Sequence, residues 1–274
     1  VYRGLDVATA KPGPSELARV PHHLVSHVDP RRDYTLADYV RDADEAIAEI
    51  AARGAVPIVA GGTGMYLRGL LRGVVDAPAR DPELRERLRR LATRFGTARL
   101  HRLLARCDPE SARRLPPRDA QRVVRALEIA FAGGARWSER LREAGSWSSG
   151  VERYPSLKVV LDLPREVLAA RLDARVDGFF ARGLVAEVRD LLASGIPGTA
   201  NAFKAIGYRE VVRALAEGID PASVVEEVRR ATRRYAKRQR TWFRGERDAL
   251  RLDGSPGVEA TVRTILECWS IARS

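Results

Sequence analysis

The sequence has little cysteine, little lysine and no long apolar run. Its two cysteines, Cys107 and Cys268, stand far apart and in no C-x-x-C spacing. That excludes a disulfide framework or a cysteine-rich zinc site and agrees with a reducing compartment, the cytoplasm by default. No apolar stretch approaches the roughly 20 residues of a bilayer-spanning helix, so no membrane association is expected. The opening residues lack the apolar core of a signal peptide. Methionine occurs only at Met65, and the chain begins VYRGLDVATAKP, without one. Histidine is scarce too: His22, His23 and His27 share one loop and His101 stands apart. They form no Ser/His/Asp or metal-ligand spacing, and they read as loop structure or substrate-edge contacts. No metal-ligating residues are expected, and no G-x-x-x-x-G-K-[ST] phosphate loop occurs.

Arginine is what the sequence has in quantity. Of 48 basic residues only Lys11, Lys158, Lys204 and Lys237 are lysine, and 36 acids leave a net charge of +12. A coding bias toward arginine codons explains the choice of residue but not the excess of positive charge. A chain this basic attracts polyanions, nucleic acid first among them. At 274 residues, 45% of them apolar, it is long enough for one large domain or a core with a small added lobe.

The grammar along the chain is α/β with a helical interruption. Thr35-x-x-Asp38 is a capping box, and Leu36, Val40, Ala43, Ile47 and Ile50 form one apolar stripe that Gly54 ends. Val56–Ala60 reads as a buried parallel strand. From about residue 81 the pattern is helical only, over Pro82–Phe95, Thr97–Arg106 and Asp119–Phe131, with Gly133–Gly150 as a loose return. Leu157–Leu163 is again a buried strand, followed by a helix over Arg165–Arg182, and Leu250–Leu252 is a last short strand. The organisation expected is a core over 1–77 and 151–274 with an all-helical lobe inserted at 78–150.

Four stretches carry chemistry. Gly61-Gly62-Thr63-Gly64 follows the first strand directly, at the sheet edge where open α/β folds bind ligands. Its backbone N–H groups and the Thr63 hydroxyl suit a phosphate, although a tight strand-to-helix turn reads the same. Arg171 and Arg175, with Arg182 further on, share a helix face that would clamp a diphosphate, or be a solvated basic face. Arg229–Arg247 reads RRATRRYAKRQRTWFRGER. Val225, Val228, Tyr235 and Trp242 make its apolar stripe, and cations with almost no acids crowd the remainder. So many like charges repel unless a polyanion neutralises them. Finally, Asp119-x-Gln121-Arg122-x-x-Arg125 opens a helix whose polar face suits phosphate and base-edge contacts.

Seven blocks in order, VYRGLDVATAKP, PHHLVSHVDP, VPIVAGGTGMYLRGLL, DPELRERL, DAQRVVRALEIA, AFKAIGYREV and RRYAKRQRTWFR, resemble the bacterial tRNA dimethylallyltransferase (isopentenyl-tRNA transferase) family along nearly the whole chain. The resemblance implies a P-loop-kinase-like parallel core with a helical insertion that grips the tRNA anticodon stem-loop. It implies transfer of a dimethylallyl group from dimethylallyl diphosphate to N6 of adenosine-37 in tRNAs that read codons beginning with U, with Mg2+ accompanying the diphosphate. By the same resemblance Thr63, Arg175 and Arg171 are the expected catalytic groups, and Gly61, Gly62, Thr63 and Arg175 the diphosphate site. The implied tRNA contacts are Thr63, Arg85, Gln121, Arg122, Val123, Val124 and Arg125. Lys204, Gly207, Tyr208, Arg209, Arg233, Arg234, Lys237, Arg238, Gln239 and Arg240 complete them. Ala8 replaces the family's usual glycine.

In that family a P-loop and an Asp general base precede the Tyr-Arg-Gly block. The sequence therefore reads as a fragment, or as a chain whose start was placed too late, with the first sheet strands missing. A gap is then expected between Val56–Ala60 and Leu157–Leu163. A catalytically inactive tRNA-binding remnant is the second reading. A nucleotide-kinase relative is a third, against which the tRNA-specific blocks argue. A monomer is expected.

Overall fold

The computed structural model describes residues 1–9, 11–75, 77–78, 81–133, 136–143 and 151–273. The chain divides into two compact units, one made of 1–67 with 155–274 and the other of 68–154. In the first unit, Tyr2 bridges Val28 in parallel ahead of α1 (Pro14–Arg19). The capping box at Thr35 forms as its spacing predicts. Thr35 Oγ1 accepts from the Asp38 N–H at 3.2 Å, and the Asp38 carboxylate accepts from the Thr35 N–H at 2.9 Å. It starts α2 (Leu36–Ala52), which buries Val40 and Ala43. Gly54, at φ +72°, ends it in a conformation that costs a glycine little.

Val56–Ala60 is the first departure from expectation. It forms no strand, Ile58 is 88% exposed, and Val56 and Val59 are also exposed. A parallel strand needs a neighbour to take its N–H and C=O groups, and among the described residues this segment has none. The GGTG turn follows, and α3 (Gly64–Arg72) begins within it.

The second unit is helical. It holds α4 (Pro82–Phe95), α5 (Thr97–Cys107), α6 (Pro109–Arg114), α7 (Ala120–Phe131) and α8 (Trp137–Glu143). Aspartates start three of these helices: Asp81 accepts from Leu84 N–H at 2.9 Å, Asp108 from Ser111 N–H at 3.0 Å and Asp119 from Arg122 N–H at 3.1 Å. Leu88, Leu100, Leu104, Val123, Val124 and Leu127 form its core. Part of the segment expected as a loose return, Trp137–Glu143, is helical; residues 134–135 and 144–150 of it lie outside the described residues. The Asp108 carboxylate also accepts from the Ser138 N–H at 3.0 Å, which gives α8 a buried anchor.

The first unit resumes with β1 (Val159–Asp162), α9 (Arg165–Ala181), α10 (Leu184–Ala193), α11 (Tyr208–Ala216), α12 (Val225–Phe243), β2 (Leu250–Asp253) and α13 (Val258–Arg273). Strands β1 and β2 pair in parallel, Val159 with Leu250 through Asp162 with Asp253. Among the described residues these two strands are the whole sheet, so no continuous sheet joins Val56–Ala60 to β1. The fold is mostly helical α/β with a small parallel sheet. Its core is accordingly helix on helix, with Leu5, Phe179, Leu184, Val188, Val211 and Val228 packed together from the opening segment and α9 to α12.

Candidate functional site

The GGTG turn lies against one stripe of α12. The Gln239 side chain donates from Nε2 to the Gly62 carbonyl at 2.9 Å, and Thr63 Oγ1 lies 3.4 Å from the Tyr235 hydroxyl. Gly64 is buried against Trp242: a Cβ there would fall 2.0 Å from the indole Nε1. Tyr235, Gln239 and Trp242 are spaced i, i+4 and i+7, so they share a helix face. Gly61 and Thr63 remain exposed. The loop therefore has its back fixed to a helix and its hydroxyl and outer glycine open to solvent, where donors for an anion belong.

The cations of α12 fall into two groups. Arg229 pairs with Asp177 and Glu226, and Arg233 pairs with Asp173, its Nε donating at 2.8 Å. Arg240 Nε lies 3.2 Å from Asp162 of β1. As the α12 number rises from 229 to 233 the α9 number falls from 177 to 173, so the two helices run antiparallel. The Arg233 guanidinium holds the Asp173 carboxyl below the usual carboxylate range. The other group is open. Arg234 and Lys237 are exposed and make no ion pair among the described residues, and Arg238 lies over the Tyr235 ring at 5.5 Å. By helical spacing this stripe runs between the acid-paired face and the face that carries the loop.

Arg171 and Arg175 are exposed on α9, and Arg175 packs over the Phe179 ring at 5.6 Å. No hydrogen bond or ion pair joins either of them to the GGTG turn among the described residues. They alternate with Asp173 and Asp177, whose carboxylates are taken by α12, so their own guanidinium groups keep their donors.

Several residues expected at the tRNA surface are structural. The Tyr208 side chain is buried in the core. Its hydroxyl donates to Glu187 at 2.5 Å and accepts from the Ala8 N–H at 3.2 Å. Burial and the Glu187 carboxylate push its phenol well above the ordinary value. Glu187 also accepts from the Asp6 and Val7 N–H groups, each at 3.1 Å, so the opening DVA turn is tied to α10 and α11. Gly207, at φ +94°, faces Ala8: a Cβ on it would lie 3.2 Å from the Ala8 methyl. Lys204 donates to Asn201, and Arg209 pairs with the buried Glu210 at 2.5 Å.

In the helical unit, Val123 and Val124 are core residues, which corrects their expected contact with RNA. Residues pointing inward on the 3.6-residue period cannot share the polar face of Gln121 and Arg122, which are exposed. Arg85 and Arg125 converge on Glu128, a side chain 1% exposed. Arg85 Nε donates at 3.2 Å, Arg125 Nη1 lies at 3.1 Å, and the Asp81 N–H donates at 2.9 Å. Burial raises the Glu128 carboxyl, but Arg85, the Asp81 N–H and Arg125 together hold it below the glutamate range. Its partner arginines thus brace the lobe.

The sequence reading missed Tyr235 and Trp242 as loop contacts, and Glu128, Glu187, Asp162 and Asp173 as partners. One signal was available: Asp173/Asp177 and Arg229/Arg233 have the same spacing of four with opposite sign. Among the described residues no three His, Cys, Asp or Glu side chains gather where a metal could sit. No described helix is long and apolar enough to cross a membrane.

The basic unit thus presents an exposed glycine-rich turn backed by an arginine-rich helix. Comparison with known proteins gives the family. Residues 1–246 match the IPP transferase family. The chain is 48% identical over 265 residues to the tRNA dimethylallyltransferase of Anaeromyxobacter dehalogenans, covering 97% of this chain and 87% of that protein. It is 45% identical over 264 residues to tRNA dimethylallyltransferase 1 of Trichlorobacter lovleyi, covering 96% and 85%. Its fold is similar to a eukaryotic dimethylallyltransferase caught acting on tRNA, with TM-score 0.78 at 27% identity over 96% of this chain and 68% of that one. The chain belongs to the IPP transferase family.

Proposed function

We propose that this chain is a tRNA dimethylallyltransferase, a prenyltransferase that moves a dimethylallyl group from dimethylallyl diphosphate to N6 of adenosine-37 in tRNA. One observation carries the reading: the GGTG turn, shaped for a diphosphate, is built onto the helix whose open cations suit RNA. The binding-only remnant is not favoured, because relatives named as transferases match 96–97% of the chain. A P-loop-kinase-like parallel core, with β1 and β2 among its strands, belongs to the same reading.

In the reaction N6 attacks the allylic carbon, the carbon–oxygen bond to diphosphate breaks with its electrons leaving on oxygen, and N6 passes its proton to a general base, the role the family resemblance gives to an Asp preceding the Tyr-Arg-Gly block. The target base leaves the anticodon-loop stack to reach the site. The Thr63 hydroxyl, 3.4 Å from the Tyr235 hydroxyl, is exposed and can turn its hydrogen to a diphosphate oxygen while Tyr235 donates to it. The N–H groups of Gly61 and Gly62 add donors, and Arg175 and Arg171 supply forked donors as charge develops on the leaving group. Arg234, Lys237, Arg238, Gln121 and Arg122 are the exposed groups for the anticodon stem-loop. Mg2+ belongs to the same reading as the companion of the diphosphate, whose charge it would help to neutralise.

The test is prenylation of tRNA by the purified chain with labelled dimethylallyl diphosphate. Incorporation is expected, with a loss on the order of 10²-fold in Thr63→Ala and in Arg175→Ala. Full activity in both variants overturns the site assignment.

A further inference from the structure

We infer that Gln239, which the family resemblance places among the tRNA contacts, is a positioning residue for the diphosphate turn, and that Gly62 is a glycine because Gln239 needs the space. The inference rests on the transferase reading above and deepens it. The amide of Gln239 is half-buried and turned away from the open cationic stripe of its own helix, and it donates to the Gly62 carbonyl at 2.9 Å. A Cβ on Gly62 would fall 2.0 Å from that same Nε2 and 3.0 Å from the amide carbon. Bond and close approach go together: a methyl at position 62 would make the Gln239 amide shift from the place where it meets the carbonyl.

The bond fixes the peptide between Gly62 and Thr63. It therefore sets the direction of the Thr63 N–H and the placement of the Thr63 side chain, whose oxygen lies 3.4 Å from the Tyr235 hydroxyl one helical turn before Gln239. A donor group misplaced by an ångström loses much of its effect on the reaction. Gln239 thus acts on the diphosphate through Thr63, while the cations on the neighbouring stripe act on RNA. The two substrates are read from two faces of one helix.

The experiment is steady-state kinetics with both substrates varied, on the wild-type chain and on Gln239→Ala, Gln239→Glu, Gly62→Ala and the Gly62→Ala/Gln239→Ala pair. Gln239→Glu keeps the shape of the side chain but cannot donate. Gly62→Ala pushes the amide aside while leaving it on the helix. Each single variant is expected to lower kcat/KM for dimethylallyl diphosphate by on the order of 10-fold, with KM for tRNA within about twofold of wild type. The double variant is expected to be no worse than the poorer single one, since both changes break the same bond.

A rise in the tRNA KM of Gln239→Ala with the diphosphate parameters unchanged overturns the inference and returns Gln239 to the RNA surface. Losses that multiply in the double variant overturn it as well. A wild-type chain that prenylates no tRNA would instead refute the transferase reading, and the inference with it. Wild-type turnover with an unaffected diphosphate kcat/KM in the variants refutes the inference alone.

Discussion

The arginines of the helical unit and those of α12 have the same chemistry and opposite employment. In the helical unit Arg85 and Arg125 close on Glu128, an acid shut away from water, and their positive charge is spent inside the protein. On α12 the partners are the carboxylates of α9 and β1 at one side only, and the next stripe keeps its charge for solvent or a ligand. What separates the two is the acid that faces each guanidinium. A count of positive charge along the sequence cannot distinguish them, and it overstates the RNA surface of the helical unit.

The sharpest break of this contrast is Glu128→Gln. Two guanidinium groups would be left around a buried neutral amide, and destabilisation of about 3–5 kcal/mol is expected in urea unfolding. An effect under about 1 kcal/mol would mean that the lobe does not depend on this cluster. The same group predicts a pH dependence. Its carboxyl is held below the ordinary glutamate value, so its contribution is present above that value and is lost as pH falls through the folded one. Acid unfolding of the wild-type chain should therefore begin at higher pH than that of a Glu128→Gln, Arg85→Met, Arg125→Met triple variant, measured relative to their neutral stabilities.

On α12 the expectation reverses. Arg234→Ala combined with Lys237→Ala should leave unfolding essentially unchanged. It should weaken tRNA binding and flatten the log–log salt dependence by roughly 0.7–0.9 for each lost phosphate contact. An unchanged salt slope would remove this stripe from the RNA surface. Between the two extremes, Arg233→Met should loosen α12 against α9, seen as faster amide exchange in both helices, with the tRNA salt slope unaffected. The smallest effect on stability, read by the same urea unfolding, is expected for Arg122→Ala. Arg122 is 68% exposed and pairs with Asp119 at 3.2 Å, and such surface pairs contribute under about 1 kcal/mol.

Much of the local structure was legible. The Thr35 box, α4, α5 and α7 of the helical unit and the β1 and β2 positions follow from caps and apolar periodicity, which are properties of neighbours in sequence; α6 and α8 were not read. Val56–Ala60 was misread because an apolar run says that a segment wants burial, not that a partner strand is there to provide it. The 3.6-residue period places Val123 and Val124 inward, as they are found; they entered the tRNA contacts only because a motif was carried over whole. The GGTG turn was legible as a glycine-rich turn leading into a helix. Its dependence on Gln239 and Trp242 was not, because it joins residues 177 and 178 positions apart, and no local pattern encodes a contact at that distance.

The tie between Glu187 and the opening turn has a consequence for how the protein is made. The amides of Asp6 and Val7 find their acceptor 181 and 180 residues later in the chain. At about 5–20 residues per second of synthesis, this turn waits roughly 10–40 s for the side chain that completes it. During that interval Leu5, which ends in the core, has no core to enter. The segment that leaves the ribosome first among the described residues is thus among the last to reach its final place, and an early pause in translation would lengthen its exposure to proteases and chaperones.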